Sequence, residues 1–247
     1  LCRKDENGAL RRPVFVVEAN FMMDLIALPP APRLPVMSDD GTSIGDFPVA
    51  RVFCVGRNYG EHALEMGGDP LREAPFFFMK PASSVMHARD LIYPSRTQQL
   101  HHEVELVVAL GGDALDDIVG CGVGVDLTRR DLQADMKAGR RPWEAGKVFP
   151  DSAACGGLRA GHAVLARSNA LISLDVSGES RQRGRLGQMI HDVPEILAQL
   201  RELFGLCPGD LVFTGTPAGV GPLAVGDEVC ARIEGLPELS FTVLPAD

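Results

Sequence analysis

Glu103, Glu105 and Asp126 are the residues of this chain whose types and spacing best suit chemistry. Two of them stand in the run His101-His102-Glu103-Val104-Glu105-Leu106. In a strand, residues two apart point to the same face, roughly 7 Å from one another. Like charges held side by side repel, and a cation between them removes the conflict. Asp126 closes the next apolar run, 119–125, and can bring a third carboxylate to the same place. An all-oxygen donor set without paired Cys or His ligands suits a hard ion, Mg²⁺ or Mn²⁺. The competing explanation is two acids on the solvent side of an edge strand, with Val104, Leu106 and Val108 as the buried face. His101 and His102 are either further ligands or a polar cluster at the strand end.

A second constellation lies in Val55-Gly56-Arg57-Asn58-Tyr59-Gly60-Glu61-His62-Ala63-Leu64-Glu65-Met66. Gly56 ends an apolar run and the following residues read as the start of a helix. His62 and Glu65, three apart, then share a helix face and reach one another. A carboxylate on one imidazole nitrogen fixes the tautomer and raises the basicity of the other, as a general base requires. A solvated pair on a helix surface has the same spacing. In Asp126-Leu127-Thr128-Arg129-Arg130-Asp131-Leu132-Gln133, Arg130 and Gln133 can share one face with a ligand or with solvent. The preceding Gly122-x-Gly124 lacks the third glycine of a dinucleotide fingerprint, so its glycines read as points of close backbone approach. Thr214-Gly215-Thr216-Pro217-Ala218-Gly219 lacks the Gly-Lys-Ser/Thr ending of a phosphate loop. Its N–H groups and a Thr hydroxyl can still hold a carboxylate.

The elements that must position these groups are mostly strands. Short apolar runs punctuated by Gly, Pro or Asp predict strands at 49–55, 76–79, 104–110, 119–125, 171–176, 211–213, 228–233 and 239–243. Helices are predicted at 59–66, 129–137 and 193–204, the last with Asp192 as N-cap, Pro194 early and Gly205 past its end. Without regular β-α-β alternation, the pattern indicates a β-rich α+β fold. Leu28-Pro29-Pro30-Ala31-Pro32 and Pro35 disfavour helix and central strand. Residues 28–48 therefore read as a linker, with a turn at Asp39-Asp40-Gly41. Residues 1–48 then form an N-terminal arm and 49–247 the main domain.

The chain has 247 residues, 45% hydrophobic, with a formal net charge of −9. That length fits one large domain, or one domain with an arm, and provides a true core. The acidic balance argues against nucleic acid and anionic membrane, but a metal and local cations still permit a small anionic substrate. Cys2, Cys54, Cys121, Cys155, Cys207 and Cys230 include no C-x-x-C pair, so they read as reduced thiols of a cytoplasmic protein. Cys54, inside an apolar run, reads as core filler. The apolar stretch 14–28 is interrupted by Glu18, Asn20 and Asp24 and is too short to span a bilayer.

Taken together, the strings CVGRNYGEHALEM, PFFFMKP, LHHEVELVVALG, GVGVDLTRRDLQ and GDLVFTGTPAGVGP, in this order, resemble the fumarylacetoacetate hydrolase family. The resemblance is strongest to its fumarylpyruvate hydrolase and acylpyruvase branch and covers roughly 49–243. It implies a mixed β-sandwich roll of that family's C-terminal-domain type, assembled as a homodimer. It implies that Glu103, Glu105 and Asp126 bind Mg²⁺ or Mn²⁺ and that His62 and Glu65 activate water. Lys147 matches the family's active-site lysine and Gln133 its substrate-contacting glutamine, while Arg57, Arg130 and Thr216 match positions near the substrate. Two segments depart from the family pattern: 111–119 is short, and 151–169 fits poorly. The implied reaction is hydrolysis of the carbon–carbon bond of an acylpyruvate, a small anionic 2-oxo acid, with fumarylpyruvate giving fumarate and pyruvate in aromatic-compound catabolism. Oxaloacetate decarboxylation, or isomerisation of a 2-hydroxy-dienoate, could use the same site. A silent metabolite-binding homologue would be expected to have lost a ligand, the dyad or the lysine.

Overall fold

The structure, a computed structural model, describes residues 29–60 and 74–246. The chain divides between Pro30 and Ala31, and the fold below is that of the unit from Ala31 onward. At its centre is strand Val104–Leu110, every residue of which is buried. Such a strand must be covered on both faces, and two cores do so. Val104, Leu106, Val108 and Leu110 enter one core, and Val107 and Ala109 enter the other. Glu105 has the parity of the second pair and points the same way.

Strand Val104–Leu110 lies between the antiparallel neighbours Ile118–Asp126 and Asp210–Phe213. Beyond Asp210–Phe213 come Arg51–Gly56, parallel to it, and then Phe76–Pro81 at the edge. On the other side, Ile118–Asp126 is followed by Leu158–Ala160, Arg33–Met37 and Ser43–Pro48. Ser43–Pro48 ends this order on one side, and Arg51–Gly56 is next to last on the other. Only Val49 and Ala50 join them in the chain. A two-residue connection between opposite ends of a sheet requires the sheet to curl into a roll. Leu34, Val36, Phe47, Val52, Cys54, Leu158, Leu211 and Phe213, drawn from both ends, fill its inside. A second, five-stranded sheet runs Glu179–Arg185, Leu171–Val176, Glu228–Ile233, Leu239–Leu244, Leu91–Ile92. It packs Ile172, Leu174, Val229 and Ala231 against the outer face of the roll, where Ile196 and Leu200 of helix Val193–Phe204 join them.

The expected β-rich mixed architecture is therefore present, and the long strands and helix 193–204 form where the pattern placed them. That helix has the anticipated cap: Asp192 accepts from the Glu195 N–H at 2.9 Å and Glu195 reaches back at 3.1 Å. Such a cap is worth about 1 kcal/mol. The segment read as a linker differs. Arg33–Met37 and Ser43–Pro48 form a hairpin on the large sheet, turning at Asp39-Asp40-Gly41 with Gly41 at φ +84°. Leu34, Val36 and Phe47 alternate inward, and burying them outweighs the weak strand propensity of the prolines. Glu179–Arg185 was also not anticipated, because its sequence is polar. It is an edge strand that buries only Gln182 and Gly184. The atypical 151–169 stretch supplies Ala153–Cys155 and Leu158–Ala160, both paired to the strand that ends in Asp126. The five described cysteines are free, and Cys54 is buried as expected. No helix among the described residues is long and apolar enough to cross a membrane.

Candidate active site

The three carboxylates converge. Glu103, Glu105 and Asp126 each offer an oxygen within 4.8 Å of the others, and all three residues are buried. The solvated-edge explanation is thereby set aside. Glu103 sits at the break between Leu100–His102 and Val104–Leu110, where its carbonyl accepts the Asp126 N–H at 2.8 Å. Glu105 lies opposite Gly124 in the ladder. A Cβ on Gly124 would stand 2.5 Å from Val107 Cγ2 and 2.6 Å from Phe213 Cε1, so only glycine lets the inside of the roll close here. Gly120 and Gly122 admit the backbone at Arg159 and Gly157 in the same way. The Gly-x-Gly strand is thus a packing device that ends on Asp126.

Two lysines counter the acidic cluster from within. Lys147, the last residue of the short helix Glu144–Lys147, donates to Glu103 Oε2 at 2.8 Å, Asp126 Oδ2 at 2.6 Å and Thr128 Oγ1 at 2.7 Å. Burial pulls its pKa down, but Asp126 and Glu103 outweigh that and raise it, so this lysine remains a cation. Lys80 is fully buried and spends its three protons on the carbonyls of Leu127 (3.2 Å), Lys147 (2.6 Å) and Ser152 (2.9 Å). Its ammonium is 2.8 Å from Asp126 Oδ1 as an ion pair, yet that oxygen has no hydrogen bond. A buried carboxylate oxygen with an unused lone pair is what a metal ligand requires. Glu105 accepts the Gly215 N–H at 2.7 Å. Burial, then the charges of Asp126 and Glu103, push its pKa well above the usual carboxylate range. A dication among these oxygens would relieve that repulsion, so the donor set fits a hard divalent ion.

Arg130 opens helix Arg130–Ala138, pairs with Glu103 and donates to Gln133 Oε1 at 2.6 Å. A guanidinium only donates, so the Gln133 oxygen is fixed on Arg130 and its amide N–H groups are left for other partners. Gly146 lets this helix approach the next one: a Cβ there would stand 2.8 Å from that of Gln133. His101 and His102 are outside the carboxylate cluster. His101 receives Arg130 Nε at 3.4 Å, and burial followed by the Arg130 charge lowers its pKa to about 4. His102 bonds Gln182 at 2.9 Å. They form the polar cluster, the second of the two alternatives.

The loop at Thr214–Thr216 closes the site. Gly215, at φ +98°, takes a conformation that favours glycine, and its N–H reaches Glu105. Thr216 is held by Gln182 Nε2 at 2.8 Å, while Gln182 Oε1 accepts the Val104 N–H at 3.0 Å. Asn58 ties the same loop to the helix entrance, donating to Thr214 O at 2.8 Å and to His191 O at 2.9 Å. Gln182, Asn58 and the role of Lys80 were missed in the sequence, because their partners are 34 to 156 residues away. The one available signal was Lys80 itself, a charge directly after the apolar run 76–79 and still within strand Phe76–Pro81.

An open cleft lies over the carboxylates, with Arg57, Arg130, Gln133, Lys147 and Thr216 in its lining. Arg57 has the left-handed φ of +57° and lies 5.9 Å over the Phe76 ring. The cleft thus combines three acids with several cations, an arrangement suited to a metal and a small polyanion. His62 and Glu65 lie outside the described residues.

The sequence profile of the fumarylacetoacetate (FAA) hydrolase C-terminal family matches residues 51–244. Oxaloacetate tautomerase YcgM of Escherichia coli (strain K12) is 41% identical over 200 residues, covering 77% of this chain and 91% of the relative. A fumarylpyruvate hydrolase from a Ralstonia species is 38% identical over 184 residues, covering 71% of this chain and 95% of the relative. Among solved structures, fumarylpyruvate hydrolase from Pseudomonas aeruginosa in complex with Mn²⁺ and pyruvate superposes with a TM-score of 0.84. It is 45% identical and covers 91% of this chain and 100% of its own.

Proposed function

The chain belongs to the fumarylacetoacetate hydrolase family, and from that premise we propose that it is a divalent-metal hydrolase of acylpyruvates, with fumarylpyruvate and water giving fumarate and pyruvate. The observation that carries this reading is the convergence of three buried carboxylates beneath a cleft lined by cations. The relatives named for fumarylpyruvate hydrolysis support the substrate.

Glu103, Glu105 and Asp126 would hold Mg²⁺ or Mn²⁺. When bound, such an ion supplies Lewis-acid polarisation to the oxygens of a 2-oxo acid. Lys147, permanently charged and fixed by three bonds, serves as a donor and not as a base. With its oxygen held by Arg130, Gln133 presents N–H groups to the oxygen that gains charge as water adds to the distal carbonyl. Water activation is assigned to His62, oriented by Glu65, on the spacing of the two residues. His62 takes a proton from water, the hydroxide adds to the distal carbonyl carbon, and the bond to the neighbouring methylene breaks. Its electron pair passes to the pyruvate half, whose carbon recovers the proton from His62. Thr216 and Arg57 are assigned to substrate contact.

A second reading is tautomerisation of oxaloacetate, favoured by the relative so named. It requires proton transfer at a 2-oxo acid but no water nucleophile. The two are separated by supplying fumarylpyruvate, acetylpyruvate and oxaloacetate with Mg²⁺ or Mn²⁺. Loss of diketone absorbance with stoichiometric pyruvate release supports the hydrolase. Catalysed keto–enol exchange of oxaloacetate alone supports the second reading. The assembly is proposed to be a homodimer, with a light-scattering mass twice the 26.5 kDa of the chain. A mass of one chain would overturn it.

A further inference from the structure

Most cations of the cleft are already engaged. Lys147 is bonded to Glu103, Asp126 and Thr128, and Arg130 to Glu103 and Gln133. Lys137 differs. It lines the same cleft, half buried, and rests 4.6 Å over the ring of Trp143. Among the described residues, its ammonium makes no hydrogen bond or ion pair. Burial, then the like charges of Arg130, Arg57 and Lys147, lower its pKa to about 8. Among the described residues, three cations and one acid, Glu103, act on this half-buried ammonium, and an arriving carboxylate would supply the counter-anion it lacks at contact distance there.

Its position is set by the helix. Arg130, Gln133 and Lys137 are spaced i, i+3, i+7 and share one face of Arg130–Ala138, leading away from Glu103. Lys137 lies ~6 Å further along the axis than Gln133. In fumarylpyruvate three carbon–carbon bonds separate the distal carbonyl carbon, which Gln133 serves, from the far carboxylate carbon, roughly 4 Å when extended, and the Lys137 side chain, leaning toward the helix N-terminus, closes the remainder. In oxaloacetate the second carboxylate stands where that distal carbonyl would be, beside Gln133 and short of Lys137.

We propose that Lys137, seated on Trp143, receives the far carboxylate of a long 2-oxo diacid, and so makes the site select diacids over monoacids of equal length. The proposal rests on the reading above, in which the 2-oxo acid end of the ligand is held at the three carboxylates. The apolar face of Trp143 holds the ammonium without neutralising it, leaving its charge for the ligand.

The test uses two non-cleavable ligands of the same length, 2-oxoheptanedioate and 2-oxoheptanoate, titrated by calorimetry into the Mn²⁺-loaded protein. The wild type is expected to bind the diacid roughly tenfold tighter or better, about 1.4 kcal/mol. Lys137→Met is expected to abolish that preference while leaving monoacid affinity in place, and Lys137→Arg to restore much of it. A diacid preference that survives in Lys137→Met overturns the proposal. Equal weakening of both ligands also overturns it, since that marks a structural role. Monoacid binding without any diacid preference in the wild type removes only the Lys137 assignment. Binding of neither ligand removes the 2-oxo acid reading together with it.

Discussion

Replacing Lys80 by methionine keeps a side chain of similar length while deleting one charge and three donors. The three carbonyls it serves belong to Leu127, Lys147 and Ser152, so one ammonium joins the segment after Asp126, the helix carrying Lys147 and the loop that follows. It also stands 2.8 Å from Asp126 Oδ1, and neither partner is more than 1% exposed. Leaving a buried acceptor unsatisfied costs about 1–3 kcal/mol. Removing one member of a buried ion pair costs about 3–5 kcal/mol. Both figures describe the same event, so the expected loss is about 3–5 kcal/mol and not their total. Urea unfolding of the metal-free protein measures it, because bound metal would add linked stability. The midpoint should fall with an unchanged slope. In an Asp126→Asn background the same substitution should cost less, since the residues couple directly. A loss below about 1 kcal/mol, or full additivity with Asp126→Asn, would refute the reasoning.

Three further outcomes follow from the same geometry. Gly124→Ala should destabilise by about 1–3 kcal/mol through overpacking against Val107 and Phe213, read as a lower thermal midpoint. An unchanged midpoint would mean that the roll is looser than the contacts imply. Affinity for the seven-carbon diacid should decline as pH rises through about 8, where Lys137 loses its charge, while monoacid affinity holds. The groups facing this lysine are Arg130, Arg57, Lys147 and Glu103, and calorimetry across pH 7 to 9.5, a window spanning about 8, gives the profile. His62→Ala should lower turnover by roughly 10²–10⁴ with metal affinity retained. Unchanged turnover would remove His62 from the mechanism.

The parts of the fold that could be read in advance are those dictated by local pattern. Strand Val104–Leu110, the glycine strand ending in Asp126 and the capped helix Val193–Phe204 each carry periodicity or caps in a single window of sequence. The acids were visible as a pair, but one strand could not say whether their face was wet or dry. That was decided by the roll, which brings Cys54 and the Gly215 loop up to them. The hairpin over residues 33–48 was hidden because the prolines at 29, 30, 32 and 35 spoke louder than three inward-facing apolar residues. Glu179–Arg185 was hidden because its one buried polar side chain, Gln182, finds its partners at His102, Val104, Thr216 and Pro217. Long-range satisfaction of polar groups leaves no periodic trace.

The central claim is that Glu103, Glu105 and Asp126 form one divalent-metal site. Titration of Mn²⁺ into metal-stripped protein, followed by calorimetry, tests it directly with the wild type and Asp126→Asn. The expected result is one ion per chain in the wild type and an affinity at least roughly 100-fold weaker in the variant, about 2.7 kcal/mol. Equal stoichiometry and affinity in the two proteins would contradict the claim.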